Sequence, residues 1–315
     1  DSTANGRTIT FDAGDKTIDL RAAVGGNVTV NDTGTATTDS VTLTNNAAAT
    51  DIFATSNLTV GGFETVSYVG SGSGAAASQD FGTIAITADT GGTSTLNLSG
   101  SNAVSTTGAI TANVIDASGL AAQAAGTATF TMGAAAVGVT TITGSDGDDT
   151  LLGDAASTIN GGAGTDTITG GTGADTLTGG AGNDIFVFAD ADSTTAAADT
   201  VTDYTAGDVI RLVAADNVAG ASAAGTTNAT TDVSVAVGGK VTFAAADDTL
   251  AEMLVALAAD TTDIAANEVV HFEVGGDTYI FNNVGGTDDL IILDGVTGMT
   301  TLTESTVTAG DFTIA

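Results

Sequence analysis

The chain has 315 residues, with 38 acidic and 5 basic side chains, a formal net charge of −33, and neither cysteine nor proline. Such a charge argues against nucleic acid or an anionic membrane as a direct partner. Without cysteine there is no disulfide or thiolate chemistry, and no apolar run of about 18 residues is present to span a bilayer as a helix.

Residues 1–143 are rich in Thr, Ala, Gly, Val and Asn. Short β-branched runs bounded by Gly, Asn and Asp predict strands at Thr8–Phe11, Asn27–Val30, Ser40–Thr44, Asn57–Val60, Glu64–Val69, Thr83–Thr87, Ser94–Leu98, Ile110–Ile115 and Thr127–Met132. Their spacing has no fixed period, which fits either a β-solenoid or a stacked β-sandwich. So much Thr and Gly disfavours helix. Thr38-Asp39-Ser40-Val41 and Thr50-Asp51-Ile52-Phe53 share a Thr-Asp-x-apolar pattern. Asp39 and Asp51 are either further metal ligands or turn caps that accept backbone N–H groups. Glu64, one of five glutamates, is either a buried, hydrogen-bonded acid or an exposed residue at a strand start.

From Gly144 to Val187 the sequence runs GSDGDDTLL, GDAASTIN, GGAGTDTIT, GGTGADTLT and GGAGNDIFV without interruption. Each unit is a glycine turn followed by a very short strand. Glycines supply the positive φ and close approach that such turns demand. Thr150, Thr167 and Thr176 begin strands, while Leu151, Ile159, Ile168, Leu177 and Phe186 point inward. One apolar side chain per unit cannot be buried alone, so the units stack. If each is half a coil, alternate units fall on the same side. Asp166 and Asp184 then face each other one coil apart, and Asp149 precedes Asp166 by a coil shortened by one residue. The template resembles the calcium-binding nonapeptide of RTX proteins, G-G-x-G-x-D-x-U-x with U apolar. By that resemblance the ligand set is Gly144, Asp146, Gly147 and Asp149, then Asp154. It continues with Gly161, Gly162, Gly164 and Asp166, with Gly170, Gly171, Gly173 and Asp175, and with Gly179, Gly180, Gly182 and Asp184. Calcium takes about six to eight hard oxygen ligands, and carboxylates with turn carbonyls can supply them. Magnesium would demand a stricter octahedron, and no soft ligand suits zinc.

The second unit lacks the sixth-position acid. Asp175 is therefore expected to have an incomplete partner, with Asp154 as substitute and a weaker site there. Asp190 and Asp192 are candidates to cap the last coil on that side. Segment 144–192 holds nine Asp and no base. Self-repulsion is expected to keep it unfolded until cations neutralise it, so folding should be coupled to calcium.

Beyond the repeats, Asp199–Tyr204 and Gly207–Leu212 read as a hairpin-like pair closing the roll. Thr249-Leu250-Ala251-Glu252 is a capping box. It opens a helix over 249–259 with Leu250, Met253, Leu254 and Leu257 on one face. Val269–Val274 and Thr278–Asn282 flank a tight turn at Gly275-Gly276-Asp277, and Asp289–Leu293 adds a strand.

GGAGNDIFVF, ADTVTDYTAGDVIRL, HFEVGGDTYIFNN and the final Asp311–Ala315 resemble the C-terminal domain of RTX proteins exported by type I secretion. The motifs GGFETV at Gly61–Val66 and IDASGL at Ile115–Leu120 resemble RTX-type surface-layer (S-layer) proteins of Gram-negative bacteria. The resemblance implies a mainly β fold: a β-solenoid or stacked strands, then a calcium-binding parallel β-roll, then a small β-rich C-terminal domain with one helix. The corresponding segments are 1–143 (lattice region), 144–192 (roll) and 193–315 (capping and secretion-signal domain). It further implies a structural, self-assembling protein at the cell surface, with calcium as cofactor. Its partners would be its own copies and the type I secretion machinery, with lipopolysaccharide anchoring left to a separate N-terminal domain. The absence of proline removes X-Pro isomerisation steps of tens of seconds, which suits a chain exported unfolded and folded outside. The start at Asp1, with neither Met nor signal peptide, reads as the cut end of a longer protein, made by design or by proteolysis.

RTX tails also accompany enzymes. The single histidine, His271, lies in an alternating strand, and neither His-Glu-x-x-His nor Gly-x-Ser-x-Gly is present. Acid pairs such as Asp247/Asp248 and Asp288/Asp289 carry no weight in so acidic a chain, and tryptophan is absent. A non-enzyme is expected. The alternative readings are an RTX adhesin or the export tail of a secreted enzyme.

Overall fold

The computed structural model describes residues 7–12, 14–20, 26–34, 38–45, 53–70, 78–89, 91–121, 129–213, 217–218, 233–235, 239–243, 249–259, 264, 268–283, 288–304 and 311–314. The fold is mainly β, with one helix among these residues. The chain divides into two compact units, Asp1–Ile168 and Thr169–Ala315.

In the first unit successive strands alternate between two sheets, and every pairing within each sheet is parallel. One sheet runs Arg7–Phe11, Val28–Asp32, Ser56–Gly61, Gln79–Thr87, Val104–Thr106, Phe130–Met132 and Thr150–Leu152. The other runs Lys16–Leu20, Ser40–Asn45, Thr65–Gly70, Thr95–Gly100, Val114–Leu120, Thr141–Thr143 and Thr158–Ala163. A sandwich would need antiparallel hairpins, so this is the solenoid. Three strands escape the sequence pattern: Val104–Thr106 and Thr141–Thr143 hold one apolar residue each, and in Lys16–Leu20 the charged Lys16 and Asp19 interrupt the β-branched run. The run Ile110–Ile115 is two strands, Ile110–Thr111 and Val114–Leu120, in different sheets. Asn113 turns the corner between them and donates its N–H to the Ser94 carbonyl at 2.9 Å.

Burial follows the strand period of two. In Thr65–Gly70 Val66 and Tyr68 are fully buried, while Thr65 and Ser67 lie nearer the surface. Thr and Ser therefore clothe the outside and a narrow column of Val, Ile, Leu and aromatic side chains fills the inside. Phe53, Tyr68 and Phe81 pack ring on ring there, with centroids 4.1 Å apart for Phe53–Phe81 and 5.4 Å for Tyr68–Phe81. The buried Asn45 Nδ2 donates to Gln79 Oε1 at 3.1 Å, so even polar interior side chains are matched between coils. These sheets cross residue 143 without interruption, since Thr141–Thr143 pairs with Thr158–Ala163.

In the second unit Ile185–Phe188 pairs in parallel with Val209–Leu212, and Thr176–Ala181 with Asp199–Val201. Asp199–Tyr204 and Gly207–Leu212 are therefore not a hairpin. Each is the next rung of its own sheet, because each repeats the inward apolar residue of the strand before it. Antiparallel strands follow: Asp311–Ile314 against Val209–Leu212, and Asp277–Asn283 between Glu268–Val274 and Asp289–Leu293. Gly275 and Gly276, with φ of 69° and 113°, make the predicted tight turn. The helix spans Leu250–Ala259. Its capping box is formed: the Glu252 N–H donates to Thr249 Oγ1 at 3.3 Å, and the Thr249 N–H to Glu252 Oε2 at 3.2 Å. Leu257 is buried against Val270, Phe272 and Phe281, with Leu250, Met253 and Leu254 alongside. His271 is fully buried in its strand.

Candidate metal centre

The sixth-position acids are the buried ones. Asp149, Asp166, Asp175 and Asp184 are at most 2% exposed, while Asp146, Asp154 and Asp190 are exposed. Leu151, Ile159, Ile168, Leu177 and Phe186 are fully buried, as their inward direction predicts. A repeating geometry holds Asp149, Asp175 and Asp184. A Cβ on Gly144 would overlap the Asp149 carboxylate, and the same holds for Gly170 with Asp175 and Gly179 with Asp184. Each carboxylate is thus folded back onto the first glycine of its own repeat.

The acids are also linked from coil to coil. The Asp149 N–H donates to Asp166 Oδ1 at 2.8 Å, 17 residues on, as the short second repeat requires. Asp149 itself accepts the N–H of Phe130 and of Ser145, both at 2.5 Å. In the second unit the Asp175 N–H donates to Asp199 Oδ1 at 2.8 Å, and the Asp184 N–H to Asp208 Oδ1 at 2.9 Å. Asp199 and Asp208 therefore continue the acid ladder beyond the repeats, at 0% and 3% exposure. Their sequence signal was present: Asp199-Thr200-Val201 repeats Asp175-Thr176-Leu177, and Asp208-Val209-Ile210 repeats Asp184-Ile185-Phe186. An offset of 24 residues instead of 18 hides it. Asp203 adds a further support, its two oxygens accepting the N–H groups of Gly179 and Gly180 at 2.9 and 2.8 Å.

In the second repeat Ser157 takes the acid's place before Thr158-Ile159. It is buried, and its hydroxyl donates to the carbonyl of Val139 at 3.2 Å. The exposed Asp154 instead accepts the Gly138 N–H at 3.4 Å. Asp148, outside the expected set, accepts the N–H of Thr165 at 2.7 Å. Asp192 is half-buried and accepts the Ala189 N–H at 3.1 Å. Burial pushes its carboxyl up, and its charge reaches Asp199. Of the outlying candidates, Asp39 is buried and Asp51 lies outside the described residues. Glu64 is the buried alternative of its two readings, with Oε2 accepting the Asp39 N–H at 2.9 Å and Oε1 that of Asp89 at 3.1 Å.

These residues fit a hard divalent cation. Burial raises Asp149 to about 6 and Asp199 to about 8, so without a cation these carboxylates resist ionisation. The second oxygen of Asp199 is buried with no hydrogen-bond partner. Among the described residues no three acidic side chains converge on one point. A cation here is therefore held by carboxylates completed by carbonyls of the glycine turns, a donor set that suits calcium.

Residues 141–159 and 153–186 match the family model of the RTX calcium-binding nonapeptide repeat, in four copies. None of the curated proteins compared with the chain matches it. The chain thus carries RTX repeats, and calcium is their ligand. When bound, it neutralises the buried carboxylates that stack along the coils.

Proposed function

We propose that the chain is the lattice-forming part of a calcium-dependent, self-assembling surface-layer subunit, a structural protein of the cell surface with no catalytic role. The observation that carries this reading is the unbroken passage of both parallel sheets from the Thr-rich coils into the calcium repeats, as in the Thr141–Thr143 pairing with Thr158–Ala163. A solenoid templates each coil on the last, so calcium that orders the repeats also orders the long Thr- and Ser-clothed faces upstream. Those faces carry small polar side chains suited to close packing between copies. RTX repeat proteins are typically secreted, and export by type I machinery is part of the same reading, as is anchoring to lipopolysaccharide through a separate domain.

Electron microscopy and light scattering of the chain with and without calcium test it. Sheets or tubes in calcium support the lattice. Calcium-loaded protein that stays monomeric at high concentration leaves the export tail of a secreted enzyme, or an adhesin, in its place.

A further inference from the structure

The first unit holds a second arrangement of acids, well upstream of the RTX repeats. Asp32 ends the strand Val28–Asp32, and Asp39 precedes the strand Ser40–Asn45. Their carboxylates lie within hydrogen-bonding reach of each other, and the charge of Glu64 reaches Asp39. Asp39 is 4% exposed. Its Oδ2 and the Oδ2 of Asp32 are both buried and have no hydrogen-bond partner. The other oxygen of Asp32 accepts the Gly34 N–H at 2.8 Å, and the Asp39 carboxylate takes a backbone hydrogen bond from Gly14. Each side chain is thus held by the backbone on one side and offers a bare oxygen on the other.

Two facing carboxylates without a donor between them repel, and burying them unpaired is costly. The nearby cation is Lys16, whose ammonium acts on Asp32 and sits 5.9 Å from the centre of the Phe11 ring. Asp32, Asp39 and Glu64 outweigh Lys16, and Asp15, held by Ser40, and Asp89, held by Glu64, add to the excess of negative charge that a divalent ion would reduce. Glu64 is not a direct ligand, because both of its oxygens are taken by the N–H groups of Asp39 and Asp89. It fixes the backbone at Asp39 and adds negative charge behind it.

We infer that Asp32 and Asp39 form a calcium site at the turn between their strands, with Glu64 as its positioning residue. The ion bridges the two bare oxygens and completes its shell with water. The site pins two successive strands of one coil, far from the RTX repeats, while Glu64 ties Asp39 to the next coil; it stands whether or not the chain assembles into a lattice.

The test uses the whole chain and calcium alone as the probe. Native mass spectrometry counts the ions bound by the wild type and by the double variant Asp32→Asn/Asp39→Asn, while melting is followed in calcium and in EDTA. The site requires one ion fewer per chain in the variant and a smaller upward shift of Tm by calcium. In EDTA the variant should melt no lower than wild type, because the amides remove repulsion and can hydrogen-bond each other. An unchanged ion count overturns the inference, as does equal destabilisation in calcium and in EDTA, which would mark a purely structural pair. If the double variant does not fold, Asp32→Asn alone is read by the same two criteria.

Discussion

The carboxylate of Asp199 accepts the backbone N–H of Asp175 at 2.8 Å, across 24 residues of chain. That single bond places Asp199 in the same column as the repeat acids, although the repeat template ends before it. Replacing Asp199 with Asn should therefore weaken calcium binding at that level by at least about tenfold, or ~1.4 kcal/mol. Asp208→Asn should do the same for the Asp184 column. Asp154→Ala, at an exposed residue, should leave the affinity nearly unchanged. Calorimetric titration of the three variants decides the matter, and equal losses would count against the register.

Gly162 tests the tightness of the coils. Its φ is 113°, and a Cβ would overlap the carbonyl oxygen of Ser145 in the neighbouring coil. Gly138 has a φ of 70° but open space around it. Gly162→Ala should cost at least about 2 kcal/mol in calcium, from overpacking against backbone that cannot yield. Gly138→Ala bears only its conformational strain and should cost less. Denaturant unfolding of both in calcium gives the comparison.

The repeats, the helix with its capping box and the Gly275-Gly276 turn were legible because each rests on contacts within a few residues. The inward column of Leu151, Ile159 and Ile168 was legible for the same reason, since strand alternation alone sets its direction. Asp199 and Asp208 were not, because their partners are fixed by stacking and the intervening coils lengthen from 18 to 24 residues. The supposed hairpin at 199–212 failed likewise: two short strands close in sequence look like neighbours, yet each pairs within its own sheet, one with Thr176–Ala181 and the other with Ile185–Phe188. Ser157 shows the limit at the site itself. Its Ser-Thr-Ile matched the strand pattern while the missing acid drew attention to the exposed Asp154.

Burial of Asp149 and Asp199 gives the calcium-free protein a pH dependence of definite sign. Their folded values, about 6 and about 8, lie above the usual 3.8 for an aspartate. The folded chain therefore holds more protons than the unfolded one between those limits, and stability falls as pH rises from about 4 to about 8. In EDTA, Tm should be higher near pH 5 than near pH 8.5. Calcium needs the ionised carboxylates, so its affinity should climb over the same range. Overall charge repulsion also falls in acid, and Asp199→Asn separates the two effects. That variant should lose the slope between about pH 6 and 8 and keep only the share of Asp149 between about pH 4 and 6. An unchanged slope would place the titration elsewhere.

Assembly must overcome the net charge of −33 on every copy. Like-charged chains repel, with a screening length of about 8 Å at physiological salt, so close contact needs local neutralisation. Sodium only screens, whereas each bound calcium adds two positive charges at fixed positions and orders the coil that presents the surface. Circular dichroism should therefore show β signal gained on calcium titration and lost in EDTA, with the loss greatest over residues 144–212 by hydrogen exchange. Scattering intensity should rise with millimolar calcium, collapse on chelation, and stay low when sodium restores the ionic strength. Recovery in sodium would mean that screening alone suffices and that the ion's structural role is secondary. An identical spectrum in EDTA would show that the repeats fold without their ligand, which the buried, unpartnered oxygen of Asp199 argues against.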